Sequence, residues 1–223
     1  MAEKGLISKM GIFKKKDVLI GVDDILKDLI YHIEAGNIVV LEGKSGSGKS
    51  RILKEIMGRL GHKYKMIYVN EKNFENLRID KIVRKSLGII GQIFRLLPRN
   101  AILLLDGIEN ISKKNCEKIK YYYDKDCLKS IIFATEDFEK LNLTESLRHR
   151  IRKKFVLEKL NEDDAIKLVK IKIGEILPEN ILKRILSFSK TNGEFLKICK
   201  NIYKEYNTTG TINLEGLSMN IKK

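Results

Sequence analysis

Residues 43–50 read GKSGSGKS. They follow the apolar run Asn37 to Glu42 (NIVVLE) and precede a segment where Ile52, Leu53, Ile56 and Leu60 share one helical face. Glycine reaches backbone angles closed to other residues, so Gly43, Gly46 and Gly48 let successive N–H groups turn inward into a nest for anionic oxygens. A helix opening near Lys49 aims the positive end of its dipole at the same point. Lys49 adds a full positive charge that reaches the outer phosphates, and the Ser50 hydroxyl is a ligand for a hard divalent cation. The chemistry this set suits is capture of a polyphosphate together with Mg²⁺.

The spacing matches GxxxxGK[ST], the Walker A pattern, and its strand–loop–helix context is the one the mechanism requires. The ligand expected from it is a nucleoside triphosphate, ATP with Mg²⁺. The nucleotide-binding set comprises Gly43, Lys44, Ser45, Gly46, Ser47, Gly48, Lys49, Ser50 and Arg51, with Lys44 at a variable position of the pattern. A metal held at such a loop also needs an acid at the end of a neighbouring strand. Ala101 to Asp106 (AILLLD) is an apolar run ending in Asp, a Walker B pattern, which makes Asp106 the partner of Ser50 at the metal.

Hydrolysis further requires a group that orients and polarises water. Gly107 follows Asp106, and the next acid is Glu109. Two readings of Glu109 stand: a catalytic base brought to the γ-phosphate by a turn at Gly107, or a cap of the following helix. Thr135 ends the run SIIFAT and is a candidate to hydrogen-bond the γ-phosphate or the water. Asn70, at the end of the run KMIYV, is a candidate to restrain the catalytic Glu.

Around these residues short apolar runs alternate with helical patterns. Strands are expected at 37–42, 65–69, 101–105, 130–135 and 154–157, and helices at 22–34, 50–60, 74–97 and 113–123. Such alternation argues for a parallel sheet covered by helices. Only helical patterns follow: Asn161 caps one, Pro178 opens the next, and Asn192-Gly193 breaks the chain before a third. The expected fold is therefore α/β, a P-loop NTPase sheet of about five parallel strands flanked by helices, followed by a small all-α lid. Boundaries fall at a mobile basic N-terminus (1–17), an α/β core (18–160) and a helical lid (161–223).

The 223 residues carry a net charge of +15, which suggests contact with nucleic-acid phosphates. Lysine spread along the whole chain has a second reading, a compositional bias toward Lys and Ile. The longest apolar runs are strand-sized, so no membrane span is expected. Three scattered cysteines without CxxC or Cys/His clusters point to a reducing cytoplasm and no structural zinc.

The order of motifs resembles the AAA+ superfamily, and within it the archaeal STAND, ExeA-type and origin-recognition-like ATPases. Ile20-Gly21-Val22-Asp23 is similar to the segment opening their first helix, LLLDGIEN to the STAND Walker B, and IIFATED to the sensor-1 strand with Thr135 as sensor. LRHRIRKKFVLEKL, at 147–160, is similar to the stretch that carries the arginine finger, and the resemblance favours Arg150 over Arg148 and Arg152. Asn192-Gly193-Glu194 resembles the lid turn of sensor 2, where this chain has Leu196 and Lys197 instead of Arg. The resemblance implies a Mg²⁺-dependent ATPase acting as a molecular switch on DNA or a DNA-bound protein complex, with a protein client and nucleotide-dependent homo-oligomers. A C-terminal winged helix, which origin-recognition relatives carry after the lid, is not expected here. Two other readings stay open: a regulatory or signalling module that binds nucleotide with little hydrolysis, and a small-molecule kinase.

Overall fold

The computed structural model describes residues 19–70, 74–88, 93 and 96–209. These fall into two compact units, Asp23–Glu158 and a second one built mainly from Lys159 onward, which also takes in residues 19–22. The expected N-terminal segment 1–17 lies outside the described residues.

The first unit alternates helix and strand: α1 (Asp23–Glu34), β1 (Ile38–Glu42), α2 (Lys49–Leu60), β2 (Met66–Val69), α3 (Ile79–Lys85), β3 (Ala101–Asp106), α4 (Lys113–Asp124), β4 (Leu128–Thr135), α5 (Glu145–Arg148) and β5 (Ile151–Val156). The strands form one five-stranded sheet in the order β2-β3-β4-β1-β5, each neighbouring pair parallel. Every residue of β3 is buried, as expected of a strand with no polar alternation and cover on both faces. One face packs Val40, Leu103, Leu105, Ile131 and Phe133 with Ile79 and Val83 of α3 and Ile119 of α4. The alternate positions Val39, Leu41, Ile102 and Leu104 are equally buried, so the opposite face is covered too. Helices α1 and α2 bury Leu26, Leu29, Ile33, Ile52, Leu53 and Ile56.

Register brings the ends of the strands level. Glu42 pairs with Thr135, and Asp106 with Ala134. The chain leaving β1, β3 and β4 therefore emerges along one rim, where ligands of open α/β sheets bind.

The second unit has three helices, α6 (Glu162–Ile173), α7 (Glu179–Phe188) and α8 (Asn192–Thr209). Ala165, Val169, Leu182, Ile185, Phe195 and Cys199 form their shared core. The Asn161 side chain caps α6 by accepting the Asp164 N–H at 2.8 Å. Pro178 sits at the cap of α7 rather than at its first helical position.

Three expectations about elements need correction, and one short helix was not expected. Asn192-Gly193 does not break the chain; it begins α8, with the Asn192 side chain accepting the Leu160 N–H at 2.9 Å. The last strand starts at Ile151 instead of Lys154, because Arg152, Lys153 and Lys154 are exposed residues of an edge strand and imitate a loop in sequence. Within the expected helix 74–97 the described helix is Ile79–Lys85; residues 89–92, 94 and 95 lie outside the described residues. Helix α5 is a single turn, too short for a periodic signal.

Candidate functional site

Gly46 and Gly48 have φ of +77° and +112°, left-handed angles that favour glycine. Gly43 is required for another reason: a Cβ there would meet Ser47 Oγ at 2.6 Å and Leu157 Cβ at 3.0 Å. The loop passes into α2 at Gly48, the cap residue, with no side chain capping the first turn. The free N–H groups of that turn are the donors an anion would take.

Lys49 is buried, and its Nζ donates to the carbonyls of Gly43 and, at 3.2 Å, Lys44. Burial holds the ammonium below the usual lysine value of 10.5, opposed by the charges of Glu136, Glu109 and Asp106. The Ser47 hydroxyl is buried without a hydrogen-bond partner. A buried orphan hydroxyl and a charge crowded against its own loop fit a site designed around an anion.

The cleft beside the loop measures about 390 Å³ and is lined by Ser45, Gly46, Gly48, Lys49, Ser50, Arg51, Asp106, Gly107, Glu109 and Glu136. Thus the structure brings the loop from β1, the acid from β3 and the turn after β4 to one place. Lys44 is exposed and does not line the cleft. Asp106 ends β3 with 4% of its surface exposed. Among the described residues no group of three or more His, Cys, Asp or Glu could hold a metal alone. A pairing of Ser50 and Asp106 instead suits Mg²⁺, which keeps waters and shares phosphate oxygens as ligands.

Gly107 turns the chain with φ of +82°, and its N–H and that of Ile108 stay on the Ala134 carbonyl at 2.9 and 3.3 Å. This turn carries Glu109 into the cleft. Glu109 Oε1 accepts the Glu136 N–H at 2.9 Å and faces the Thr135 hydroxyl at 3.4 Å. Thr135 itself is fully buried. Asn70 does not restrain Glu109: its amide donates to Asp106 Oδ2 at 2.9 Å, because β2 lies next to β3 and ends level with Asp106. Two residues escaped sequence reasoning. Glu136 lines the cleft, and Tyr68 donates to Asp106 Oδ2 at 2.7 Å. Their signals were adjacency to Thr135 and a two-residue spacing from Asn70 on one strand.

Arg150 does not line the cleft. Its guanidinium grips Asp124 with two bonds of 3.2 Å and donates to the Ser146 carbonyl at 2.8 Å. Arg148 stacks on Phe138 at 4.6 Å and donates to the Leu141 carbonyl. Arg152 is exposed on β5, where the register with β1 shifts.

Comparison with known proteins places this geometry. The family described as "ABC transporter" matches residues 26–207. The methionine import ATP-binding protein MetN of Clostridioides difficile is 36% identical over 84 residues, covering 37% of this chain and 26% of MetN. The lipoprotein-releasing system ATP-binding protein LolD of Francisella tularensis is 30% identical over 129 residues, covering 56% of this chain and 52% of LolD. The chain thus spans at most about half the length of these two curated relatives. Among solved structures, the Orc1 protein of Aeropyrum pernix in complex with DNA superposes with a TM-score of 0.72 at 12% identity, covering 91% of this chain and 66% of Orc1, a likeness of fold. No helix among the described residues is long and apolar enough to cross a membrane. With the family match running from α1 into the last helix, the phosphate loop, the strand-end acid and the cleft between them acquire a common purpose: the chain belongs to the ABC transporter family, as a P-loop ATPase that binds ATP with Mg²⁺.

Proposed function

We propose that the chain is an ATP-driven switch arranged in the AAA+ manner, acting on DNA or on a DNA-bound protein complex. The observation that carries this reading is the turn at Gly107, which takes Glu109 into the cleft and hangs it on the residue after Thr135. In this reading the N–H groups of 43–50 and Lys49 hold the phosphates, while Ser50 and Asp106 hold Mg²⁺. The cation held there would supply neutralisation of the negative charge on the phosphates. Glu109 orients the attacking water and takes its proton, and Thr135 senses the γ-phosphate through the same tether. Loss of the γ-phosphate then frees the ends of β3 and β4 to shift relative to the loop. Residues 161–223 serve as the lid, and Arg150 is the trans-acting arginine of a neighbouring copy. Fold likeness to Orc1 over 91% of the chain, the helical unit included, supports this form, and the net charge of +15 supports a polyanionic client.

The family match favours a second reading, a nucleotide-binding subunit that serves a membrane partner, as the names of MetN and LolD suggest for those proteins. Phosphate release measured across protein concentrations, with and without duplex DNA, separates the two. A rate per molecule that climbs with concentration and with DNA supports the switch. A constant, DNA-blind rate removes it and leaves the subunit reading.

A further inference from the structure

Asp106 is held from the side by β2. Tyr68 lies in β2 and Asn70 directly follows the strand's last residue, two positions on, so the strand's alternation sends both side chains to the same side. Register places Tyr68 opposite Leu104 and Val69 opposite Leu105, which sets Asn70 beside Asp106 and lets the Tyr68 ring reach forward to the same carboxylate. Tyr68 donates its hydroxyl to Oδ2 at 2.7 Å, Asn70 donates its amide to Oδ2 at 2.9 Å, and the amide also reaches the Tyr68 oxygen at 3.2 Å. Both bonds go to one oxygen.

We propose that Tyr68 and Asn70 form a clamp that fixes the Asp106 carboxylate in one orientation and thereby sets how tightly the nucleotide site takes its Mg²⁺. These are positioning residues; they act on the cation through Asp106. The inference rests on the reading of Asp106 as the metal-holding acid. A carboxylate free to rotate presents either oxygen, or neither, to the ligand shell of a cation that demands near-octahedral geometry. With Oδ2 occupied by two donors, Oδ1 is the oxygen left for that shell. Partners of this kind around metal-holding groups change affinity by about ten- to a hundredfold when removed. Lys49, Arg51, Glu109 and Glu136 are the other charged residues lining the cleft with Asp106.

The test is a fluorescent ATP analogue titrated onto the full chain, first in EDTA and then at fixed nucleotide across a Mg²⁺ series. Wild type is compared with Tyr68→Phe, Asn70→Ser, Asn70→Asp and Asp106→Asn, with circular dichroism to verify folding. Affinity in EDTA should stay within about twofold for Tyr68→Phe and Asn70→Ser, while their half-saturating Mg²⁺ rises about tenfold. Asn70→Asp, which replaces a donor by a like charge, should depart from wild type by more than Asn70→Ser, an order that lost packing does not produce. Asn70 is exposed, so its variants carry the test even if Tyr68→Phe does not fold. An unmoved Mg²⁺ requirement in the folded Tyr68 and Asn70 variants, with a raised one in Asp106→Asn, overturns the clamp. An unmoved requirement in Asp106→Asn as well overturns the metal reading of Asp106 together with it.

Discussion

Glu109 Oε1 accepts the backbone N–H of Glu136 at 2.9 Å, so an acid from the segment after β3 is positioned by the end of β4. The second reading of Glu109, as a cap of the following helix, loses its support here: Ser112 caps α4, accepting the Asn115 N–H. Replacing Glu109 by Gln keeps the size and an acceptor oxygen but removes the proposed base. ATP turnover should fall about 10²- to 10⁴-fold, the range for a positioned general base, with nucleotide affinity nearly unchanged. Parallel phosphate-release and binding measurements check this; equal losses in both would mean that Glu109 only shapes the pocket. Glu136→Gln, which keeps the backbone donor, should have the smaller effect.

Gly107→Ala tests the turn. At φ of +82° a side chain is strained by about 1–3 kcal/mol, although the space beside it is ordinary, with Glu109 Oε2 at 3.6 Å from the added carbon. Urea denaturation should show that loss of stability, and turnover should fall with it as Glu109 moves. Wild-type stability and turnover in this variant would contradict the role given to the turn.

Lys49 sets a pH limit on binding. Burial depresses its pKa, so the ammonium is lost at lower pH than in an ordinary lysine. Affinity for ATP in the free protein should weaken as pH rises through that depressed value, short of 10.5. Folding has the opposite sign: the unfolded chain holds this proton to higher pH, so stability contributed by this group rises with pH across the interval between the two values. Lys49→Arg should remove the alkaline loss of binding, whatever its absolute affinity. A loss of unchanged midpoint in Lys49→Arg assigns it to another group.

The arginines after α5 separate by partner. Arg150→Ala breaks a partly exposed pair with Asp124, which should cost no more than about 1 kcal/mol of stability. If Arg150 acts on a neighbouring copy, the variant should also lose the dependence of turnover on protein concentration, and mixing with Glu109→Gln protein should restore activity. Arg152→Ala is the comparison, since Arg152 is exposed at the register shift of the edge strand. Loss of the concentration dependence in Arg152→Ala alone would reassign the role.

The phosphate loop was legible because its chemistry is contiguous: eight residues, a strand before and a helix after, with glycines where the backbone demands them. The parallel sheet was legible for a related reason, since strands buried on both faces carry unbroken apolar runs such as AILLL. What sequence alone did not reveal depends on which strands become neighbours. Asn70 reads as a companion for Glu109 until the order β2-β3-β4-β1-β5 sets it next to Asp106. Tyr68 looks like an ordinary strand aromatic for the same reason. The first half of β5 hides because an edge strand bearing Arg152, Lys153 and Lys154 has no apolar signature there, and only its end was expected.

The left-handed glycine after Asp106 has one more consequence. On the proposed mechanism the residue that meets the cation and the one that meets the water are three positions apart, joined through a turn that no side chain enters without strain. The two duties can therefore be lost one at a time. A lineage or an engineer can silence turnover while keeping a nucleotide-loaded protein, and so convert a motor into a sensor with a single change.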